Sequence, residues 1–181
     1  SFNGVEKNRK LIVGVGSALV DILICEDEDF LIRTGAAKGG MTYVEKELIE
    51  QYLAASSKPT AVVPGGSACN TVVGIGKLGG QARFVGKCGQ GQMGQFFEYE
   101  LKRHRVEPFF FRSNLPTGRV LSIITPDSQR SMFTFLGASA AALPEDISEQ
   151  CFENAAIVHI EGYLLFNAEL ILKVLKTAKA C

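Results

Sequence analysis

The chain has 181 residues, of which 46% are hydrophobic and 21% are charged, enough apolar surface to bury a core. Nineteen basic and nineteen acidic residues give a formal net charge of zero, so the sequence has no electrostatic footprint for nucleic acid or an anionic membrane. We therefore expect a small-molecule partner, no nucleic acid and no membrane.

The cysteines and histidines exclude several other classes of protein. Five widely spaced cysteines, never arranged as C-x-x-C, argue against both a zinc site and a disulfide framework. Two histidines are too few for a histidine-rich metal centre. No apolar run is long enough to cross a bilayer. We predict a cytoplasmic protein whose chain provides no metal site.

The first part of the chain alternates strand-like and helix-like patterns. The β-branched residues of KLIVGVGSALVDILICE predict one or two strands, and EDEDFLIRTG predicts a polar connection with about one helical turn. The segment EKELIEQYLAAS then has the apolar spacing of a helix.

The same alternation continues through residue 104. TAVV predicts a strand, SACNTVVGIGKL a helix that Gly79 and Gly80 end, ARFVGKC a strand and QMGQFFEYELKRH a helix. This order of elements is typical of an α/β fold.

The pattern changes after Pro108. Three strand-like runs, FFFRS, GRVLSIITP and RSMFTFLG, follow one another with no helix between them, and TPDSQR predicts a turn. We therefore predict a local antiparallel sheet that includes FFFRS.

The α/β alternation then returns. Pro144 is predicted to begin a helix in LPEDISEQCFENA, AIVHI predicts a strand, and Asn167 is predicted to cap a last helix.

Two polar residues lie inside otherwise apolar patterns. Asp21 lies within LVDILIC, where an unpartnered buried carboxylate would cost several kcal/mol, so it either points out of the sheet or lines a cleft. Asn70 lies inside a predicted helix, where its side chain either faces solvent or contributes to a ligand-binding site. Because Gly65 and Gly66 precede this helix, a ligand could approach its free N–H groups, which predicts a hydroxyl- or anion-binding corner.

Glu161 is the third candidate acid. It follows the apolar strand at its carboxyl end, where ligands of open α/β sheets bind, although a lone glutamate there is also common as an exposed loop residue.

A dinucleotide fingerprint is the alternative glycine motif. Gly89, Gly91 and Gly94 form G-x-G-x-x-G between a predicted strand and a predicted helix. The acidic residue expected about 20 residues later is replaced by Arg112, which only an NADP-type site could use. A glycine-permitted turn without a ligand explains the motif equally well.

Taken in order, several motifs resemble the N-terminal half of the PfkB carbohydrate kinases, which have the ribokinase-like fold. The motifs are GSALVDIL, PGGSACN, LGGQARFVGKCGQGQMG, a TG strand, TPDSQRSMFTFLGAS and VHIEGYLL. Within the family they look nearest to adenosine-kinase-like and related bacterial sugar kinases.

The resemblance implies a fold and a domain organisation. It implies a Rossmann-type three-layer α/β sandwich with a small antiparallel β lid, formed discontinuously by residues 18–44 and 107–136. Residues 1–181 would be the N-terminal, substrate-binding part, and the ATP-binding part would be absent from this chain. The lid is expected to cover the substrate and to pair two subunits in a homodimer. The apolar segment EPFFF fits such a pairing surface.

The resemblance also implies a reaction, namely transfer of the γ-phosphoryl group of ATP, with Mg²⁺, to a primary hydroxyl of a sugar or nucleoside. Asp21 would hold substrate hydroxyls, Gly65, Gly66 and Asn70 would form the helix end of the pocket, and Glu161 would lie near its inner edge. The second signature of the family, Gly-Ala-Gly-Asp with the catalytic base, does not occur here. A non-catalytic sugar- or nucleoside-binding protein and an NAD(P)-binding Rossmann domain are the alternatives.

Overall fold

The computed structural model describes residues 10–162, 164 and 167–181. Tyr163 and Leu165 of the motif VHIEGYLL, and the first nine residues of the predicted domain, lie outside the described residues. None of the described helices is long and apolar enough to cross a membrane.

The described part of the chain forms nine strands and five α-helices. The strands are β1 (Leu11–Val15), β2 (Leu19–Cys25), β3 (Met41–Tyr43), β4 (Thr60–Gly65), β5 (Gln81–Gly89), β6 (Val106–Ser113), β7 (Thr117–Ile124), β8 (Arg130–Gly137) and β9 (Ala155–Ile160). The helices are α1 (Glu28–Thr34), α2 (Lys46–Ala55), α3 (Ser67–Lys77), α4 (Gln92–Arg103) and α5 (Ala168–Ala180).

A parallel sheet with strand order β6-β5-β1-β9 forms the middle layer of a sandwich. On one face, Phe84 packs with Val72 of α3 and Phe97 of α4. On the other face, Val13 and Val174 share a core with the 3₁₀ turns that precede β9. Side chains of successive strand residues point to opposite faces, so a parallel sheet can bury both of them. The predicted three-layer α/β class is confirmed.

A second sheet has the order β3-β8-β7-β2-β4 and packs against α1 and α2 through Ile24, Phe30, Ile49 and Phe133. It is mixed rather than wholly antiparallel, because β2 runs parallel to β7 and β3 runs parallel to β8. The pairs β2–β4 and β7–β8 are antiparallel.

The prediction that FFFRS belongs to the antiparallel set is wrong. Strand β6 pairs in parallel with β5, and Phe109 and Phe110 pack into the cores on opposite faces of the parallel sheet. The phenylalanines of EPFFF are half-buried against these cores, so the segment is not an exposed apolar surface of the lid and gives no argument for a dimer through it. Strand β6 falls within the range 107–136 predicted for the lid but lies in the other sheet, and β4 joins the second sheet from outside both predicted ranges.

The prediction of an α-helix beginning at Pro144 is also wrong. Residues Pro144–Asp146 and Glu149–Phe152 form two separate 3₁₀ turns. The last helix begins as predicted, because the Asn167 side chain accepts a hydrogen bond from the backbone N–H of Leu170. The connection EDEDFLIRTG forms the seven-residue helix α1, longer than the single turn predicted.

Candidate functional site

Asp21 lies at the middle of β2, on the sheet face opposite the core packed by α1 and α2. Its neighbours Val20 and Ile22 are buried, whereas Asp21 is half-buried. Asp21 is directly opposite Val63 of β4 in the register of the antiparallel pair. Of the two orientations that the sequence left open, the structure places the carboxylate beside the turn that leads into α3.

The carboxylate of Asp21 occupies the space that a side chain at Gly65 would need. A Cβ atom on Gly65 would approach Asp21 Oδ2 to 2.6 Å, and the other carboxyl atoms would lie nearer still. A side chain at this position would therefore displace the carboxylate. Burial raises the pKa of Asp21 to about 6, partly offset by the positive charge of Arg130.

Gly66 makes the turn from β4 into α3. It is the N-cap residue of the helix and has φ 95°, a conformation that residues with a Cβ atom rarely adopt. A Cβ atom at this position would also lie 2.7 Å from the carbonyl oxygen of Ser17. Because glycine has no side chain to cap the helix, the free N–H groups at the start of α3 need partners from elsewhere in the fold.

Glu161 provides such a partner. It follows β9 and is only 4% exposed, and its Oε1 accepts a hydrogen bond of 3.1 Å from the backbone N–H of Ser17. Burial raises the pKa of Glu161, and hydrogen bonds from the backbone of Ser17 and Ala68 and from the Ser17 hydroxyl oppose that rise. Ala68 lies in the first turn of α3, so the carboxylate binds the start of that helix.

The two carboxylates converge on the same helix end. The Cys69 thiol is fully buried, and its pKa is raised by burial first and then by the negative charges of Asp21 and Glu161. The sequence-predicted residues Asp21, Gly65, Gly66 and Glu161 therefore lie around one corner. Because Cys69 is buried and its thiol form is favoured, we assign it no reactive role.

Asn70 lies one turn into α3. Its backbone N–H donates to the carbonyl oxygen of Gly66, and its side chain is exposed. The buried side of the helix carries Ala68, Cys69 and Val72 instead. The amide of Asn70 is thus available on the solvent side of the same helix end.

A cavity of about 440 Å³ lies between the second sheet and the segment after β9, and Ser17 connects it to the corner. Its wall includes Tyr43 of β3, Leu136 of β8, Ser139 after β8 and Leu164. Sequence reasoning did not select these residues. Mostly apolar walls with a few polar groups are typical of small-molecule sites, and the only signal in the sequence was Ser139, a polar residue just after an apolar strand.

A larger cavity of about 1300 Å³ lies at the opposite edge of the parallel sheet, beside the first residues of β1, β5 and β9. Its wall includes Arg83, which binds Glu107 through Nε at 2.8 Å and donates from Nη1 to the carbonyl oxygen of Cys151 at 3.1 Å. Ligands of open α/β sheets bind at the carboxyl ends of the strands, so the smaller cavity is the candidate site.

Two glycines of the alternative dinucleotide motif, Gly89 and Gly94, are explained by packing within the protein, and Gly91 by its φ of 97° in the turn before α4. A Cβ atom on Gly89 would lie 2.5 Å from the backbone nitrogen of Thr117, and one on Gly94 would lie 3.3 Å from Cys88 Sγ. Strand β6 is a parallel neighbour of β5, as a Rossmann unit requires, but Arg112 at its end binds Glu98 at 2.6 Å. That ion pair occupies the arginine which an NADP phosphate would need.

Among residues 10–162, 164 and 167–181, no three His, Cys, Asp or Glu side chains come together as metal ligands. A divalent cation at the corner would therefore need ligands from a nucleotide or from further protein groups.

Solved structures with the same architecture are kinases. An adenosine kinase from Sinorhizobium meliloti aligns over 96% of this chain and 54% of its own, with 30% identity and a TM-score of 0.85. A probable sugar kinase from Rhizobium etli CFN 42 aligns over 95% of this chain and 53% of its own, with 31% identity and a TM-score of 0.86.

A relative found by sequence is also a kinase. A fructokinase from Klebsiella pneumoniae is 31% identical over 88 residues, which are 46% of this chain and 29% of the fructokinase. The chain therefore aligns with about half or less of each of these relatives. The model of the pfkB family carbohydrate kinases matches residues 41–181, most of the chain, which include Gly65, Gly66 and Glu161 of the corner and leave out Asp21. The chain belongs to the PfkB family of carbohydrate kinases.

Proposed function

We propose that the protein transfers the γ-phosphoryl group of ATP to a primary hydroxyl of a sugar or nucleoside, and that this chain carries the substrate and lid half. The observation that carries the proposal is the Asp21 carboxylate held against Gly65 at the start of α3. Ser17, whose carbonyl oxygen lies against Gly66, also lines the 440 Å³ cavity. The similarity to an adenosine kinase and a fructokinase supports the two substrate classes.

The corner is suited to binding hydroxyl groups. The Asp21 carboxylate accepts hydrogen bonds, and because Gly65 and Gly66 have no side chains, the backbone packs closely against Asp21 and Ser17. The exposed amide of Asn70 adds both a donor and an acceptor one turn along α3. Glu161 is buried behind the corner, so its role is to support these groups without touching the substrate.

The second sheet is suited to act as a lid. Tyr43 and Leu136 from this sheet and Leu164 from the segment after β9 line the same cavity, so a small relative movement changes its width. Closing an active site expels water, which protects ATP from hydrolysis while the acceptor hydroxyl is positioned.

The nucleotide part of the proposal concerns protein beyond this chain. Phosphoryl transfer depends on groups that position and neutralise the phosphates, and Mg²⁺ normally enters with the nucleotide. At the start of α3 the backbone N–H of Ala68 already donates to the Glu161 carboxylate, whose negative charge makes this helix end unsuited to ATP phosphates. We place the ATP site and the catalytic base in a Gly-Ala-Gly-Asp segment of the remaining half.

The proposal is tested with the protein expressed from its complete reading frame. ADP formation is measured with adenosine, ribose, fructose and 2-keto-3-deoxygluconate as acceptors. We expect one acceptor to be phosphorylated and Asp21→Ala to reduce kcat/KM by about 100-fold or more, because a buried hydrogen-bonded charge at a site is worth several kcal/mol. Asp29→Ala, which removes an exposed carboxylate from the first turn of α1, is the control and should retain activity.

Two other results would contradict the proposal. Acceptor binding without ADP formation would identify a non-catalytic sugar- or nucleoside-binding protein instead. Full activity in Asp21→Ala would show that the corner is not the acceptor site.

The homodimer through the lid and the cytoplasmic location stay predictions. Val62 and Val63 of β4 are 39% and 40% exposed on opposite faces of the lid sheet, which supports exposed apolar positions available for pairing. Sedimentation equilibrium of the wild type and of Val63→Lys measures the oligomeric state; a wild-type monomer would contradict the dimer.

A further inference from the structure

Two carboxylates lie in close contact with glycines at one corner of the fold. Asp21 fills the side-chain space of Gly65, and Glu161 fills that of Gly16, where a Cβ atom would lie 2.7 Å from Glu161 Cδ. A Cβ atom on Gly66 would lie 3.8 Å from Glu161 Oε1. The corner therefore has one negative group on the cleft side and a second, buried one behind it.

The buried carboxylate performs the capping that the local sequence of α3 omits. Gly66 is the N-cap residue and makes no side-chain cap bond. Glu161, which is 95 positions later in the chain, receives hydrogen bonds from the backbone of Ser17 and Ala68 and from the Ser17 hydroxyl. A carboxylate in this position also complements the positive end of the helix dipole.

We propose that Glu161 is a positioning and specificity-determining residue, whose carboxylate caps α3 from a distant part of the chain and makes the Gly65–Gly66 corner accept uncharged hydroxyl groups and reject anions. The inference deepens the proposed function and rests on it for the identity of the substrate.

The physical reason is that a helix N-terminus normally attracts anions. Unsatisfied N–H groups and the helix dipole together form an anion site, which the sequence left open as one use of this corner. Here a carboxylate of the protein already accepts from one of those donors, the backbone N–H of Ala68, and Asp21 adds a second negative charge on the cleft side. A phosphate or carboxylate ligand would meet two like charges and few free donors. An uncharged hydroxyl can still donate to Asp21.

The first experiment needs no substrate. Thermal unfolding of the protein from its complete reading frame is measured in phosphate and in chloride at equal ionic strength, for the wild type, Glu161→Ala and Glu161→Gln. We expect phosphate to raise the Tm of Glu161→Ala above the response of the wild type, because Ser17 and Ala68 regain free donors. Glu161→Gln keeps an acceptor and nearly the same shape, so its response should be smaller and its folding closer to that of the wild type.

Glu26→Ala is the matched control. Glu26 is also a buried carboxylate, 9% exposed, but it binds the Ser56 hydroxyl away from the corner, so its removal should not increase the phosphate response. The amide NMR signals of Ser17 and Ala68 should move with phosphate only in Glu161→Ala. An equal phosphate response in the wild type and Glu161→Ala, or phosphate-dependent movement of these signals in the wild type, would overturn the proposal.

The second experiment measures selectivity once an acceptor is known. Inorganic phosphate is titrated against the bound acceptor by calorimetry without nucleotide. We expect it to displace the acceptor from Glu161→Ala at about tenfold lower concentration than from the wild type, the size of a charge effect at a partly buried helix end. If the same phosphate concentration displaces the acceptor from the wild type and from Glu161→Ala, the selectivity role is refuted and Glu161 only caps the helix. If the wild type binds no acceptor, the proposed function fails, whereas the thermal experiment still decides the role of Glu161.

Discussion

Asp21 provides a direct test of whether the corner is kept for function at the expense of stability. Asp21→Asn removes the charge and keeps the size of the side chain. The carboxylate is half-buried against Gly65, so its ionised form loses hydration in the folded state and keeps it in the unfolded state. The neutral amide has no such ionisation penalty.

The magnitude follows from the pKa of Asp21. Burial raises it from its ordinary value of 3.8 to about 6, and each pKa unit corresponds to 1.36 kcal/mol of differential stability. The folded state therefore holds the proton more tightly, and ionisation costs about 3 kcal/mol of stability at pH 8. The cost is absent below pH 3.8 and develops as the pH rises through about 6. Asp21→Asn removes it, so the variant gains relative stability with increasing pH.

The assay is urea unfolding of the wild type and Asp21→Asn from pH 4.5 to pH 8, chosen to bracket a pKa of about 6. The difference in unfolding free energy between the two proteins is plotted against pH, which removes any constant effect of the amide on packing. We expect this difference to shift in favour of the variant by about 2 kcal/mol across the range, because about 1 kcal/mol of the cost is already present at pH 4.5. A difference that stays flat, or that shifts in favour of the wild type, would refute the burial argument.

Three further predictions concern α3 and its approach. Gly65→Ala should raise the KM for the acceptor about tenfold, because the new Cβ atom would approach Asp21 Oδ2 to 2.6 Å and displace it; an unchanged KM would separate Asp21 from substrate binding. Gly74→Ala, where no atom lies within 4 Å of the added Cβ, should raise the unfolding free energy by about 0.5–1 kcal/mol without changing KM. Asn70→Ala should raise KM with stability unchanged or slightly higher, because the exposed amide contributes little to packing; normal KM in steady-state kinetics would remove Asn70 from the site.

The strands were largely predictable, and the error at β6 has an identifiable cause. Three consecutive strand-like runs without a helix between them favoured a local antiparallel sheet. The pair Phe109 and Phe110 carried the contrary signal, because adjacent apolar residues point to opposite faces and both faces of a parallel sheet are buried. Pro108 was compatible with either assignment, since β6 is the outer strand of the described sheet and needs only one set of ladder hydrogen bonds.

Some residues of the candidate site could be predicted from the sequence and others could not. Asp21, Gly65 and Gly66 stand out in the sequence, because a carboxylate in an apolar strand and paired glycines before a helix are locally anomalous. The cavity residues Tyr43 and Leu136 do not, because an apolar residue at a strand end is unremarkable until the fold brings two such ends together. Their selection requires knowing that β3 and β8 pair.

The sequence by itself determined the α/β class, the strand-to-helix corner and the residues that make it chemically unusual, because these depend on local periodicity and on the backbone freedom of glycine. Tertiary structure alone decided which groups surround the corner. From the local sequence, a glycine N-cap leaves the N–H groups at the start of α3 free to bind an anion. Only the parallel pairing of β1 with β9 brings the Glu161 carboxylate to Ser17 and Ala68. A contact between residues 17 and 161 depends on which strands become neighbours, and no periodicity within either segment specifies that.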